Sequence, residues 1–391
     1  GNGNTGLIDN MISGIDTSAI KLLIQKVDID KNKRIIALSD IHGMDSYLEG
    51  VLQKVHYTTD DVLVIVGDVI EKGDESLKTV RRILELKEKN PHVYVTLGNV
   101  DYDRLELFYR EGEQAGHDFV GTQQWTKKVW KRGFFLDVLE EMQVDLAELS
   151  GENISLIKER IRKEYARELS LFEEAPTILE MDNYIFVHGG IPTDKLGELK
   201  AEDMFSFLKR ETFLKEEVAF QKYVVVGHWP TCLYSDEIDC MNPIFDYEKH
   251  IIAIDGGCAL KYGAQLNALL IPSADAPVES VTYEIYDDLP VIEAKRNQEA
   301  KKRTVTIRYF DSKVELLEDL ENIAKVRHVS AGKEFFVPKS YLYGRDDKYY
   351  NCSDFSDAYL EILEGDKLSV IEETTMGYIV KKHGVIGWYV P

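Results

Sequence analysis

The chain has 391 residues, 44% of them hydrophobic and 30% charged, and a formal net charge of −22. That size holds two or three domains with real cores, and the composition excludes a disordered or fibrous protein. The acidic balance excludes a nucleic-acid backbone as a general partner, because nothing offsets phosphate repulsion, but it suits a protein that gathers metal cations.

The N-terminal stretch GNGNTGLIDN lacks the basic and apolar regions of a signal peptide. No apolar run approaches the roughly 20 residues that span a bilayer, so no membrane partner is expected. Cys232, Cys240, Cys258 and Cys352 form no CxxC pair, and a reducing, cytoplasmic location is the expectation.

After an expected N-terminal extension (1–32), RIIALS (34–39) reads as a buried strand. DSYLEGVLQKV follows, with Leu48, Val51, Leu52 and Val55 on one helical face. VLVIV (62–66), a second helical pattern over 75–89 and VYVTL (93–97) continue the alternation, which predicts βαβ units. Residues 102–175 break the rhythm. They are charged and helical, with Ile157, Ile161, Tyr165 and Leu169 recurring every four residues, and they read as an inserted cap. Further strands are expected at YIFV (184–187), YVVV (223–226) and HIIAI (250–254). Beyond about residue 290 come a charged linker, AKRNQEAKKR (294–303), and a β-rich tail with a helix expected at VELLEDLENIAKV.

The informative residues stand just after the apolar runs. The first run ends in SDIHG (Asp40, His42), the second in GDVIEKG (Asp68) and the third in GNVD (Asn99). The fourth ends in HGG (His188) and the fifth in GHWP (His228). Ligands of open α/β sheets bind beyond the carboxyl ends of strands, so five strand ends deliver two Asp, one Asn and three His to one rim. Carboxylate, amide oxygen and imidazole suit a pair of divalent ions such as manganese, iron or zinc. A dinuclear site needs a bridging carboxylate. Asp68, central in the order, is the natural bridge, with Asp40 and His42 completing one metal and Asn99, His188 and His228 the other. Flanking glycines (Gly43, Gly67, Gly98, Gly189, Gly190, Gly227) allow sharp turns near ligands.

The order SDIHG, GDVIEKG, GNVD, VHGG, VGHWP resembles the calcineurin-like metallophosphoesterases, closest to their phosphoprotein-phosphatase branch, which includes Ser/Thr protein phosphatases and bacterial diadenosine-tetraphosphatase-like enzymes. It spans roughly residues 33–272, including IAIDGG (252–257). The resemblance implies an α/β fold: a β-sandwich flanked by helices, in place of a single doubly wound sheet, over 33–290. It also implies hydrolysis of phosphate esters by direct attack of metal-bound hydroxide, with Asp68 and Asn99 in the catalytic centre. Arg210 in FLKRETFL resembles the arginine between the family's last two histidine motifs; a solvent-facing helix arginine is the competing reading. Lys72 stands where GDxxDRG has arginine, keeping the charge but losing the bidentate fork, and Glu71 replaces the family's Asp.

One departure stands out. The family motif is GNHD or GNHE, and its histidine protonates the leaving oxygen; here that position is Val100, which carries no proton. Some phosphodiesterase-type relatives carry GNCD instead. Asp101 and His117 are candidate substitutes. Phosphoprotein and nucleotide or diester substrates therefore both remain open. Residues 336–391 resemble a small SH3-like β-barrel, after a linker and connecting segment over 291–335, of which 304–335 reads either as a connecting βα segment or as part of the tail domain. Tyr341, Tyr343, Tyr378, Trp388 and Tyr389 are candidates either for a peptide groove or for its core. A rival reading is a metal-stabilised scaffold with weakened catalysis that binds partners through this tail.

Overall fold

The computed structural model describes residues 20–391. GNGNTGLIDN and most of the expected N-terminal extension lie outside the described residues. By internal contacts the chain divides into two units. One holds the residues up to 229 with 243–259 and 266–286; the other holds 230–242, 260–265 and 287–391.

The first unit begins with β1 (Ile24–Lys26), which pairs with a later strand, so the extension contributes an edge strand. Strands β2 (Ile35–Leu38), β3 (Val62–Val66) and β4 (Val93–Thr96) are parallel, joined by helices Asp45–Lys54 and Ser76–Lys89, as the alternation predicts. Next come β5 (Ile178–Met181), β6 (Tyr184–Val187) and β7 (Tyr223–Val226), then β8 (Asp239–Cys240), which belongs to the second unit. β9 (Ile244–Asp246), β10 (Ile251–Ala253), β11 (Leu266–Ile271) and β12 (Thr282–Tyr286) complete the set. One sheet has the order β1-β5-β6-β7-β10-β9, the other β12-β11-β2-β3-β4.

Alternation within β2 and β3 shows why two layers form. Ile35, Ala37, Val62, Val64 and Val66 pack with Leu179, Phe186, Val225 and Ile252 of the facing sheet. Ile36, Leu38, Leu63 and Ile65 pack with Leu48, Val51, Val80 and Ile83 of the helices. Strands buried on both faces read as unbroken apolar runs, which is what the sequence displays.

The insertion is helical, as expected, in five segments: Asn99–Tyr109, Glu113–Val129, Phe134–Glu141, Ile154–Glu164 and Ala166–Glu173. The run from Ile157 to Leu169 is two helices broken at Tyr165, which is buried and departs from helical geometry at φ −116°, ψ 26°.

The second unit is all β apart from short turns. Its strands are β8, β13 (Val291–Glu293), β14 (Thr306–Ile307), β15 (Lys313–Asp319), β16 (Ile323–His328), β17 (Glu334–Pro338), β18 (Leu342–Asp346), β19 (Tyr349–Cys352), β20 (Phe355–Ser356), β21 (Lys367–Glu373), β22 (Tyr378–Lys382) and β23 (Val385–Tyr389). Among the described residues they form sheets β13-β21-β22-β23-β8 and β17-β16-β15-β19-β18 and the pair β14-β20, with no closed barrel. The helix expected at VELLEDLENIAKV is the β15–β16 hairpin. Buried Val314 with half-buried Leu316, then buried Ala324 and Val326, repeat every second residue, the period of a strand. Within 304–335, the segment left open between connection and tail, strands β14, β15 and β16 form. Of the two readings of the tail aromatics, the core one describes Tyr341, Trp388 and Tyr389, which are buried, while Tyr378 is half-buried and Tyr343 exposed.

Candidate metal centre

The ladder of β2 and β3 continues beyond the strands. The Asp40 N–H donates to the Gly67 carbonyl at 3.0 Å, and His42 N–H to the Asp68 carbonyl at 3.0 Å. This pairing brings SDIHG against GDVIEKG. His188 bonds across the sandwich, its Nδ1 lying 2.8 Å from the Val66 carbonyl, and Gly227 N–H donates to the His188 carbonyl at 3.0 Å. Side chains of Gly98 and Gly227 have no room: a Cβ would sit 2.1 Å from Asp68 Oδ1 at Gly98 and 2.3 Å from Asp40 Oδ1 at Gly227.

Four of the six expected ligands hold left-handed backbone: Asp40 (φ 50°), His42 (47°), Asp68 (55°) and His228 (67°). Such conformations cost roughly 1–3 kcal/mol each and persist where surrounding structure imposes them, often at functional sites. Here the flanking strands and glycines impose them.

The side chains converge. His42 Nε2 lies 3.6 Å from Asp40 Oδ2 and 3.8 Å from Asp68 Oδ2; His188 Nε2 lies 3.1 Å from Asp68 Oδ2 and 3.9 Å from Asp40 Oδ2. His228 Nδ1 is 3.0 Å from Asn99 Oδ1, and Asp68 Oδ1 accepts the Val100 N–H at 3.0 Å. Two clusters have donor atoms within 4.8 Å of one another: Asp40, His42 and Asp68, and Asp68, His188 and His228. Asp68 belongs to both.

This donor set fits divalent cations. His188 Nε2 is buried without a hydrogen bond, as is one Asp255 oxygen, Oδ2. Burial opposes ionisation of Asp68 and Asp40, yet the adjacent imidazoles hold both carboxyls below their ordinary range. Burial likewise opposes a charged His188, but Asp68 and Asp40 push it up to about 10. Buried negative charge that favours imidazolium also favours a metal ion.

Other expected residues fall differently. Lys72 is half-buried with its Nζ 5.7 Å from the Trp130 ring centroid, and its charge reaches Asp68. Arg210 turns to Glu216, Nε to Oε2 at 2.7 Å, instead of standing free as a phosphoryl clamp; the loop's carboxylate, Glu211, approaches His228 Nε2 at 3.5 Å. The two suggested proton donors have other partners. Asp101 is buried and accepts N–H bonds from Asp68 (2.8 Å), Val69 (3.0 Å), Ile70 (3.3 Å) and Gly98 (3.2 Å), which makes it the clamp of the β3 turn. His117 sits beside Glu113 and Gly151 within the cap.

Three contributors were given no role from the sequence: Glu211, Asp255 and the pairing of Glu71 with Arg104. Asp255 lies in IAIDGG and accepts the Gly257 N–H at 2.8 Å; burial and Asp40 push its pKa well up. Its D-G-G turn was the available signal. Glu71 binds Arg104 Nε at 3.1 Å and accepts the Phe134 N–H at 2.6 Å, two contacts 33 and 63 residues away that no local pattern announces.

Comparison with known proteins supplies the class. The calcineurin-like phosphoesterase family matches residues 33–252, more than half of the chain, and the chain belongs to that family. It is 25% identical to serine/threonine-protein phosphatase 2 of Salmonella typhimurium over 193 residues, 48% of this chain and 72% of that protein. It is 25% identical to the asymmetrical bis(5'-nucleosyl)-tetraphosphatase PrpE of Oceanobacillus iheyensis over 262 residues, 62% of this chain and 90% of that protein. A solved structure of a putative diadenosine tetraphosphatase aligns with 68% of this chain and 99% of its own, at 17% identity and a TM-score of 0.40. Family and site together point to a hydrolase acting on phosphate esters. Among the described residues no helix is long and apolar enough to cross a membrane.

Proposed function

We propose that the chain hydrolyses phosphate esters at a dinuclear centre, with Asp40, His42 and Asp68 holding one divalent ion and Asp68, Asn99, His188 and His228 the other. The observation that carries this is Asp68, whose carboxylate belongs to both clusters of convergent donors. When bound, such a pair of ions supplies an acidified water and neutralises phosphoryl charge. The chain's own residues do the rest. His42 and His188 have Nδ1 beside backbone carbonyls, at 3.2 Å to Ile70 and 2.8 Å to Val66, which directs Nε2 toward the carboxylates. Lys72 brings a cation to the phosphoryl side, held over Trp130.

The substrate reading follows the relatives, a protein phosphatase and nucleoside tetraphosphatases. Phosphoprotein hydrolysis is the first reading. Val100 favours a nucleotide phosphoanhydride as the second, because a phosphate leaving group departs without a proton whereas a serine alkoxide needs one. The SH3-like tail and its peptide ligand draw support only from the aromatic-rich motifs after residue 340, and three of those aromatics are consumed by the core.

The test is manganese-loaded hydrolysis of p-nitrophenyl phosphate, bis-p-nitrophenyl phosphate, a phosphoserine peptide and a dinucleoside tetraphosphate, with Asp68→Asn as control. Activity that disappears in Asp68→Asn, together with loss of one or both bound ions, is expected. Full metal binding with no turnover of any substrate would leave the scaffold reading instead.

A further inference from the structure

The three histidines of the centre are oriented in two different ways. His42 and His188 each have Nδ1 beside a backbone carbonyl, Ile70 at 3.2 Å and Val66 at 2.8 Å, so their tautomers are set by the main chain. His228 is turned the other way. Its Nδ1 faces Asn99 Oδ1 at 3.0 Å, and its Nε2 faces Glu211 Oε1 at 3.5 Å. We infer that Glu211 is a positioning residue for the metal centre, drawing the ring proton of His228 to Nε2 and leaving the Nδ1 lone pair to bind an ion alongside Asn99 Oδ1. The role rests on the dinuclear reading given above.

The distances agree with that division. Nδ1 and Asn99 Oδ1 stand 3.0 Å apart, close enough to serve one ion, while Glu211 lies against the opposite ring nitrogen. A carboxylate on the outer nitrogen of a metal-binding imidazole fixes its tautomer and strengthens it as a ligand.

Glu211 is held at this place by the turn that follows another ligand. The N–H groups of Gly189 and Gly190 both donate to the Phe207 carbonyl, at 2.8 and 3.2 Å. The Phe213 ring occupies the space beside Gly190, where a Cβ would lie 2.7 Å from it. Thr212 takes left-handed backbone at φ 54°, and Arg210 is drawn off toward Glu216 at 2.7 Å. Consecutive side chains thus part, Arg210 to Glu216 and Glu211 to His228. The HGG turn therefore does two jobs, carrying His188 and setting the carboxylate that orients His228.

The experiment uses the full chain with ¹⁵N-labelled histidine, metal-free, at a pH well above the ordinary imidazole pKa of about 6.5. Removal of the carboxylate in Glu211→Ala is expected to move His228 toward the Nδ1–H tautomer relative to wild type, and Glu211→Asp to reverse the shift in part. In zinc titrations Glu211→Ala should weaken one of two sites by roughly 10–100-fold and leave the other unchanged. Glu211→Gln, isosteric with the native side chain, supplies the same comparison if the alanine variant folds poorly. An unchanged His228 spectrum with both zinc affinities intact overturns the role of Glu211. Failure of the wild type to bind zinc overturns the dinuclear reading itself.

Discussion

Val100 gives Asp68 its backbone N–H at 3.0 Å but offers nothing from its side chain, at the point where the family's histidine donates a proton. The position is half-buried in the first turn of helix Asn99–Tyr109, directly after Asn99. General-acid help is worth about 10²–10⁴ in rate. Val100→His is accordingly expected to raise turnover of phenyl phosphate by up to about 10²-fold while changing p-nitrophenyl phosphate far less. Parallel assays of the two esters check this, and equal effects on both would show that leaving-group protonation does not limit the enzyme.

The turn after β3 is the element on which the site depends. It carries Asp68, is clamped from behind by the Asp101 carboxylate, and ends in Glu71 and Lys72, both with left-handed backbone at φ 74° and 75°. Glu71 is buried and joins this turn to the helical insertion through Arg104 and the Phe134 N–H. Trp130, at the end of helix Glu113–Val129, meets both Lys72 and Arg104, with Arg104 Cζ 5.6 Å from its centroid. Cap and turn are therefore one packed piece. Glu71→Ala leaves Arg104 mostly buried and without this partner and strips the Phe134 N–H, and breaking a buried ion pair costs about 3–5 kcal/mol. A loss of stability of that size is expected, read as a lower melting temperature, with Lys72 displaced and the KM for phosphate esters raised. Unchanged melting would mean that the insertion is secured elsewhere.

For the whole molecule, net charge and metal binding are coupled. A chain at −22 that also buries Asp40 and Asp68 around one rim carries self-repulsion that divalent cations relieve. Each ion present at a hundredfold excess over its Kd stabilises the folded state by about 2.7 kcal/mol. Chelation should therefore lower the melting temperature by several degrees, and manganese or zinc should restore it. Calorimetry with and without chelator decides the point, and a melting temperature indifferent to metal would deny that these residues form binding sites.

The strand–helix alternation, the convergence of the strand-end residues Asp40, His42, Asp68, Asn99, His188 and His228, and the helical insertion were legible in the sequence, because buried strands are short apolar runs and side chains just beyond their carboxyl ends share one rim. The two-layer sandwich came from resemblance to a family, not from periodicity. Other features were decided only by the tertiary structure. VELLEDLENIAKV satisfies a helical reading locally, and its pairing with β17 and β19 makes it a hairpin. Tyr341, Trp388 and Tyr389 look like a groove until sheet packing buries them. Arg210 and Glu211 are adjacent in sequence, and only the turn at Gly189 and Gly190 determines that the carboxylate, not the guanidinium, reaches His228. Local pattern records which residues must be buried and where a strand ends; which side chains meet across long stretches of chain depends on contacts that no local window contains.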